Sequence, residues 1–189
     1  MARTPSHMVP LGTPAPDFEL LDVVSGKIIR LQQEQPPIGT VVMFICNHCP
    51  FVRYIQPELV RLSTGYMAKG IRFLAISAND ASQYPEDGPE HMREVAEELG
   101  YPFPYLYDET QETARAYEAA CTPDFFIYDQ DLKLVYRGQL DDARPGNDQP
   151  LNGKDMRAAL DAIIAHRPVS PLQKPSLGCN IKWKMEKHI

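Results

Sequence analysis

Cysteine is scarce in this chain: Cys46, Cys49, Cys121 and Cys179 are the only four among 189 residues. That is too few for a disulfide-stapled scaffold, and a chain of this length can bury a sizeable core without one. Positive charge is also in deficit, with 19 Lys and Arg against 25 Asp and Glu and a formal net charge of −6. No long basic stripe is present, which argues against a nucleic-acid partner. Apolar runs are short, and none approaches the roughly 18 to 20 residues that cross a bilayer, so no membrane partner is expected. The opening heptad, Met-Ala-Arg-Thr-Pro-Ser-His, lacks the apolar segment of a secretory signal. These absences point to a cytoplasmic protein with one domain and a tail.

What the chain does have is a pair of thiols in a telling place. Cys46-Asn47-His48-Cys49 follows the apolar run Val41-Val42-Met43-Phe44-Ile45 and precedes a helical pattern. The apolar run reads as a central strand covered on both faces. From Asn47 to about Tyr66, Ile55, Leu59 and Leu62 fall on one stripe. Pro50 suits the first turn of that helix, where amides have no intrahelical partner. Pro57 would lie inside it and is expected to kink it.

Elsewhere, residues 1–16 read as a loose arm. Phe18 to Leu20 and Ile28 to Leu31 form a hairpin around Ser25-Gly26. Ile71 to Ser77 is a strand, and Pro89 to Leu99 a helix stopped at Gly100. Pro104 to Leu106 is short and extended, and Gln111 to Tyr117 is helical. Phe125 to Tyr128 and Leu134 to Arg137 make an antiparallel pair, and Asp155 to His166 is a final amphipathic helix. This order predicts a mixed α/β sheet flanked by helices. The domain is expected over residues 12–167, with residues 168–189 as a tail packed on it. Pro171 and Pro175 argue against a continuous helix in that tail.

A free thiol has a pKa of about 8.5, so few are ionised near neutrality. A helix N-terminus supplies about half a positive charge and free amide donors. Cys46 is placed there by the pattern, which predicts a lowered pKa and a nucleophilic role. Cys49, three residues on, is placed to resolve a mixed disulfide. A protonated His48 between them would favour the thiolate; the alternative is a His that points into solvent. The redox assignment requires that the two sulfurs stand open to solvent.

Zinc is the competing reading of the dithiol. A structural site commonly takes four ligands, and no second Cys-x-x-Cys exists. His91, His166 and His188 are scattered, leaving Cys121 and Cys179 to complete a set. No metal and no bound cofactor are therefore expected. Cys121-Thr122-Pro123 precedes a strand, where a proline belongs at an edge or a special turn; taken alone it reads as an ordinary turn, and its value comes from its place after the dithiol unit and before a β-hairpin.

The ensemble of these segments resembles the thioredoxin fold, and more closely the peroxiredoxin-like branch of the alkyl hydroperoxide reductase/thiol-specific antioxidant superfamily. The matching stretches are Ala15-Pro16-Asp17-Phe18, Phe44 through Val52, Tyr84-Pro85-Glu86-Asp87, Pro104 through Gln111, Thr122-Pro123-Asp124 and Gly178 through Lys184. The resemblance implies that Pro123 is a cis-proline facing the dithiol and that Thr122 offers backbone hydrogen bonds to an extended bound chain. It also implies that Cys121 lies near the active disulfide, where a buried inert thiol is the expected state.

Two departures from the family pattern matter. Laid on peroxiredoxins, Cys49 takes the peroxide-reducing position, Cys46 replaces a threonine, and Pro123 falls about where an arginine would polarise the peroxide. Laid on thioredoxins, the position of the buried acid is Thr40. The reading is thus a thiol–disulfide oxidoreductase using Cys46 and Cys49, supported by His48, Thr122 and Pro123. Cys121 and Cys179 are candidate additional thiols. Its partners would be a disulfide-containing protein or small-thiol substrate and a thiol or dithiol electron donor. Peroxide reduction through Cys49, and a redox-sensing or zinc-binding module, are the alternatives.

Overall fold

The computed structural model describes residues 3–185. At its centre lies β4 (Gly39–Phe44), with all six residues buried. β5 (Ile71–Ser77) pairs with it in parallel and β8 (Asp124–Asp129) antiparallel. β6 (Tyr105–Tyr107) extends the sheet in parallel beyond β5, followed by the antiparallel pair β2 (Glu19–Asp22) and β3 (Ile28–Arg30). β9 (Leu134–Gly138) closes the other edge, giving the order β3-β2-β6-β5-β4-β8-β9. The mixed sheet expected from the sequence is present, and its architecture is thioredoxin-like.

Period-two alternation along the central strand divides the core in two. Val41, Met43 and Ile45 face a cluster that includes residues of α1 (Pro50–Met67), α2 (Pro89–Leu99) and α4 (Lys154–Ile164). Val42 and Phe44 face the opposite cluster, with Leu74, Ile76, Phe126 and Tyr117, the residue that ends α3 (Glu112–Ala116). Each such side chain contributes about 1.5–3 kcal/mol on burial. The site thus rises from a strand fixed on both faces.

α1 begins later than the periodicity indicates. Its first residue is Pro50 and its cap is Cys49, so Cys46 lies in an extended loop outside the helix. Proline at the first helical position loses no hydrogen bond and supplies the right φ, while the preceding residues are tied to other partners described below. The helix continues past Pro57 to Met67. α2 ends as expected, with Gly100 left-handed at φ 62°.

The loose N-terminal arm is not found. β1 (Arg3–Pro5) pairs antiparallel with β10 (Leu177–Asn180), and β10 pairs antiparallel with β7 (Cys121–Thr122). The arm is ordered because the tail offers it a strand edge and further partners. Ser6 N–H donates to the Ser176 carbonyl at 2.9 Å, and Ser176 N–H to the Ser6 hydroxyl at 2.8 Å. Farther along, Lys182 N–H donates to Asn79 Oδ1 at 2.8 Å, and the Arg115 guanidinium lies 4.6 Å from the centre of the Trp183 ring. No helix among the described residues is long and apolar enough to cross a membrane.

Candidate active site

Three strands and one helix converge on Thr122. Cys46 follows β4 with one residue between, Cys49 caps α1, and the cis peptide Thr122–Pro123 links β7 to β8. The Cys46 sulfur lies 3.3 Å from the Thr122 hydroxyl. The Cys49 sulfur lies 3.1 Å from the Thr122 carbonyl oxygen, to which it donates only when protonated. On the far side of β7, Cys179 stands directly opposite Thr122. Cys46, Cys49, Thr122 and Pro123 are therefore brought together, with Cys179 beside them.

A buried carboxylate holds the loop. Asp87 Oδ1 accepts the Asn47 N–H at 2.7 Å and the His48 N–H at 3.2 Å. Its Oδ2 accepts Asn79 Nδ2 at 2.8 Å and also meets His48 Nδ1. An ionised carboxylate only accepts, so the imidazole carries its proton on Nδ1. Asn47 is anchored on every side: its Nδ2 donates to the Glu86 carbonyl at 2.7 Å, and its Oδ1 accepts Tyr105 O–H at 3.1 Å. Its carbonyl accepts Arg53 Nε at 2.8 Å. The His48 ring stacks on Tyr84 with centroids 5.0 Å apart. His48 is thus not free in solvent; it is held by Asp87 and Tyr84.

The acidity of the two thiols is the reverse of that expected. Cys49 is lowered to about 5, chiefly because the Cys46 S–H donates to its thiolate. Burial opposes this, while the Cys179 thiol, Thr122 and the Val52 amide add to it. Although Cys49 closes no side-chain cap, it is the residue at the helix start. Cys46 is held well above the ordinary thiol range by its bond to Cys49, by burial and by the Asp87 charge. The sequence pattern misplaced the helix start by three residues, and with it the ionised sulfur. Cys121, buried near the Pro123 carbonyl, is pushed up by loss of solvent.

Open access is the second expectation that fails. Cys46 is 1% exposed and Cys49 0%, with Cys179 at 1% in the same apolar cluster. Thr40, at the position of the thioredoxin acid, is buried in β4. The acid that sequence reasoning missed is Asp87. Its segment, Tyr84 to Asp87, carried the family likeness, but nothing in the spacing linked it to the thiols. Cys46, His48 and Asp87 each offer one ligand atom within 4.8 Å of the other two, a set that could hold a metal ion. Binding there would displace the His48–Asp87 bond and leave a fourth position to fill. His188, weighed earlier as a ligand, lies outside the described residues.

A thioredoxin-like sheet with clustered thiols beside a cis-proline defines the class. The AhpC/TSA family model matches residues 11–137, and the chain belongs to that family. It is similar over 97% of both chains, at 62% identity and a TM-score of 0.95, to an uncharacterized conserved protein from Geobacillus kaustophilus. A hypothetical protein from Sinorhizobium meliloti is 45% identical, covering 96% of this chain and 98% of that one, with a TM-score of 0.93. The thioredoxin domain of a thiol-disulfide oxidoreductase from Bacteroides vulgatus is 18% identical over 79% of this chain and 98% of its own, with a TM-score of 0.60. No curated protein matches.

Proposed function

We propose that this protein is a thiol–disulfide oxidoreductase in which Cys49 attacks and Cys46 can resolve. The observation that carries this reading is the placing of the sulfur pair beside the cis-proline, with Cys46 3.3 Å from the Thr122 hydroxyl and Cys49 3.1 Å from the Thr122 carbonyl oxygen. The lowering of the Cys49 pKa to about 5 agrees with it. Near neutrality Cys49 is then a thiolate, the form that attacks disulfides. Attack on a substrate disulfide forms a mixed disulfide at Cys49 and expels one substrate thiolate. Cys46 then attacks Cys49, expels the second substrate thiolate and leaves a Cys46–Cys49 disulfide. A thiol or dithiol donor returns the pair to the reduced state. The substrate is a disulfide-containing protein or a small disulfide, and a reducing compartment such as the cytoplasm suits this direction.

The open approach that the sequence reading required is absent from this conformation, in which both sulfurs are covered, so the proposed reaction depends on a local opening. β10 spans four residues and lies against Thr122, and we propose that its departure, at the cost of few backbone bonds, is that opening. Reduction of 2-hydroxyethyl disulfide by the wild type and by Cys46→Ser and Cys49→Ser variants tests the reading. Turnover should vanish with Cys49→Ser; undiminished turnover in both variants would overturn it.

The same thiolate supports a second reading, peroxide reduction. Cys49 occupies the peroxide-reducing position of the family, and a hydrogen peroxide molecule needs less opening than a protein disulfide. Attack would give a Cys49 sulfenic acid and water, followed by condensation with a thiol. Against it, Pro123 stands about where an arginine would polarise the peroxide, and Arg137, fully buried, is paired with Asp124. Stopped-flow measurement of Cys49 oxidation by hydrogen peroxide separates the readings: a rate no faster than that of an unactivated thiol removes the second.

A further inference from the structure

We infer that Cys179 is a third redox thiol of this centre and closes a disulfide with Cys49. The inference rests on the exchange reaction proposed above and names a further residue in it.

Register supplies the geometry. Cys179 pairs with Thr122 across the antiparallel β10–β7 ladder. Residues directly opposed in such a pair project to the same face, with Cβ atoms about 4.5–5.5 Å apart. The Thr122 side chain on that face reaches the Cys46 sulfur at 3.3 Å. The Cys179 side chain is therefore directed at the dithiol, and it lies in the same buried cluster as Cys46 and Cys49. Gly178 permits the approach, since the β10 backbone there lies against the Thr122 carbonyl.

Position favours Cys179 as the thiol that releases a mixed disulfide from Cys49, because it travels on the short strand whose movement would admit the substrate.

The balance is that of ordinary exchange. The Cys49 thiolate attacks R–S–S–R, forming Cys49–S–S–R and releasing R–S⁻. Cys179 gives up its proton and attacks the Cys49 sulfur, forming Cys49–S–S–Cys179. The second R–S⁻ departs and takes a proton. The substrate disulfide is reduced to two thiols, and the protein dithiol is oxidised.

The test treats Cys46→Ser, Cys46→Ser/Cys179→Ser and Cys46→Ser/Cys179→Ala proteins with 2-hydroxyethyl disulfide, alkylates the free thiols and maps bonds by mass spectrometry. Cys46→Ser should contain a Cys49–Cys179 disulfide and release two thiols per chain. Both double variants should stop at Cys49 capped by mercaptoethanol, with one thiol released; the Ala form guards against a folding defect peculiar to a buried Ser. A Cys46→Ser protein capped at Cys49 with Cys179 still free would overturn the inference and leave the exchange reading standing. No cap on Cys49 in any variant would overturn both.

Discussion

Gly178 sits so close to Thr122 that a Cβ on it would lie 2.0 Å from the Thr122 carbonyl oxygen. That contact is with backbone, so a rotamer change cannot relieve it. Gly178→Ala should force β10 away from β7, at an expected cost of about 1–3 kcal/mol. The thiols would then be exposed more often, and alkylation of Cys49 in the native protein should accelerate roughly 5- to 150-fold. A rate equal to that of the wild type would show that β10 is not the cover.

Ionisation of Cys49 gives a direct pH signature. Ultraviolet thiolate absorbance should rise through a midpoint near pH 5, and the transition should be absent in Cys49→Ala. Cys46→Ala removes the donor that contributes most to stabilising the thiolate and should move the midpoint upward. Since the folded pKa lies below that of an exposed thiol, about 8.5, ionisation of Cys49 stabilises the native state. The contribution is complete above the unfolded value and is lost as pH falls through about 5. The urea midpoints of wild type and Cys49→Ala should therefore diverge as pH is raised from 5 toward the ordinary thiol range.

Asp87 is tested by two replacements. Asp87→Ala strands the Asn47, His48 and Asn79 donors that now converge on it, and it should cost about 3 kcal/mol or more. Chemical denaturation measures that loss. Asp87→Asn keeps the shape and removes a charge that, after the Cys49 bond and burial, adds to the raised Cys46 pKa. The alkaline thiolate transition of Cys46 should shift to lower pH; an unmoved transition would remove Asp87 from the electrostatics of the site.

Beneath β7, Arg137 and Asp124 are both fully buried, with Nη2 to Oδ2 at 3.0 Å. Arg137 also donates to the His7 carbonyl at 3.0 Å and lies 3.8 Å from the Phe126 ring centre. Asp124→Ala leaves the guanidinium uncompensated and should destabilise by about 3–5 kcal/mol. Adding Arg137→Met should recover part of that loss. A double variant whose cost equals the sum of the single costs would contradict a coupled pair.

Much of the scaffold was legible because its signals are local. The run Val41 to Ile45 has the apolarity of a strand covered twice, and Gly100 has the freedom that ends a helix. The order of units then led to the thioredoxin-like sheet. The site was less legible because its decisive contacts are distant in sequence. Periodicity could not tell that Asp87 would draw the amides of Asn47 and His48 away from the helix and leave Cys49 as its cap. Nor could it show β10 lying across Thr122, since Leu177 to Asn180 contains glycine and too few residues for an alternating pattern. The N-terminal arm was misread for the same reason: Arg3 to Pro5 becomes a strand only because the tail offers it an edge.

Placement of β1 outside β10 has a practical consequence for anyone handling the protein. Residues 3–5 pair with β10, the strand that lies against Thr122, so purification tags, linkers or nicks near the amino end should act on the chemistry from afar if β10 is the cover. Redox behaviour should be compared only between preparations that share the same leading residues.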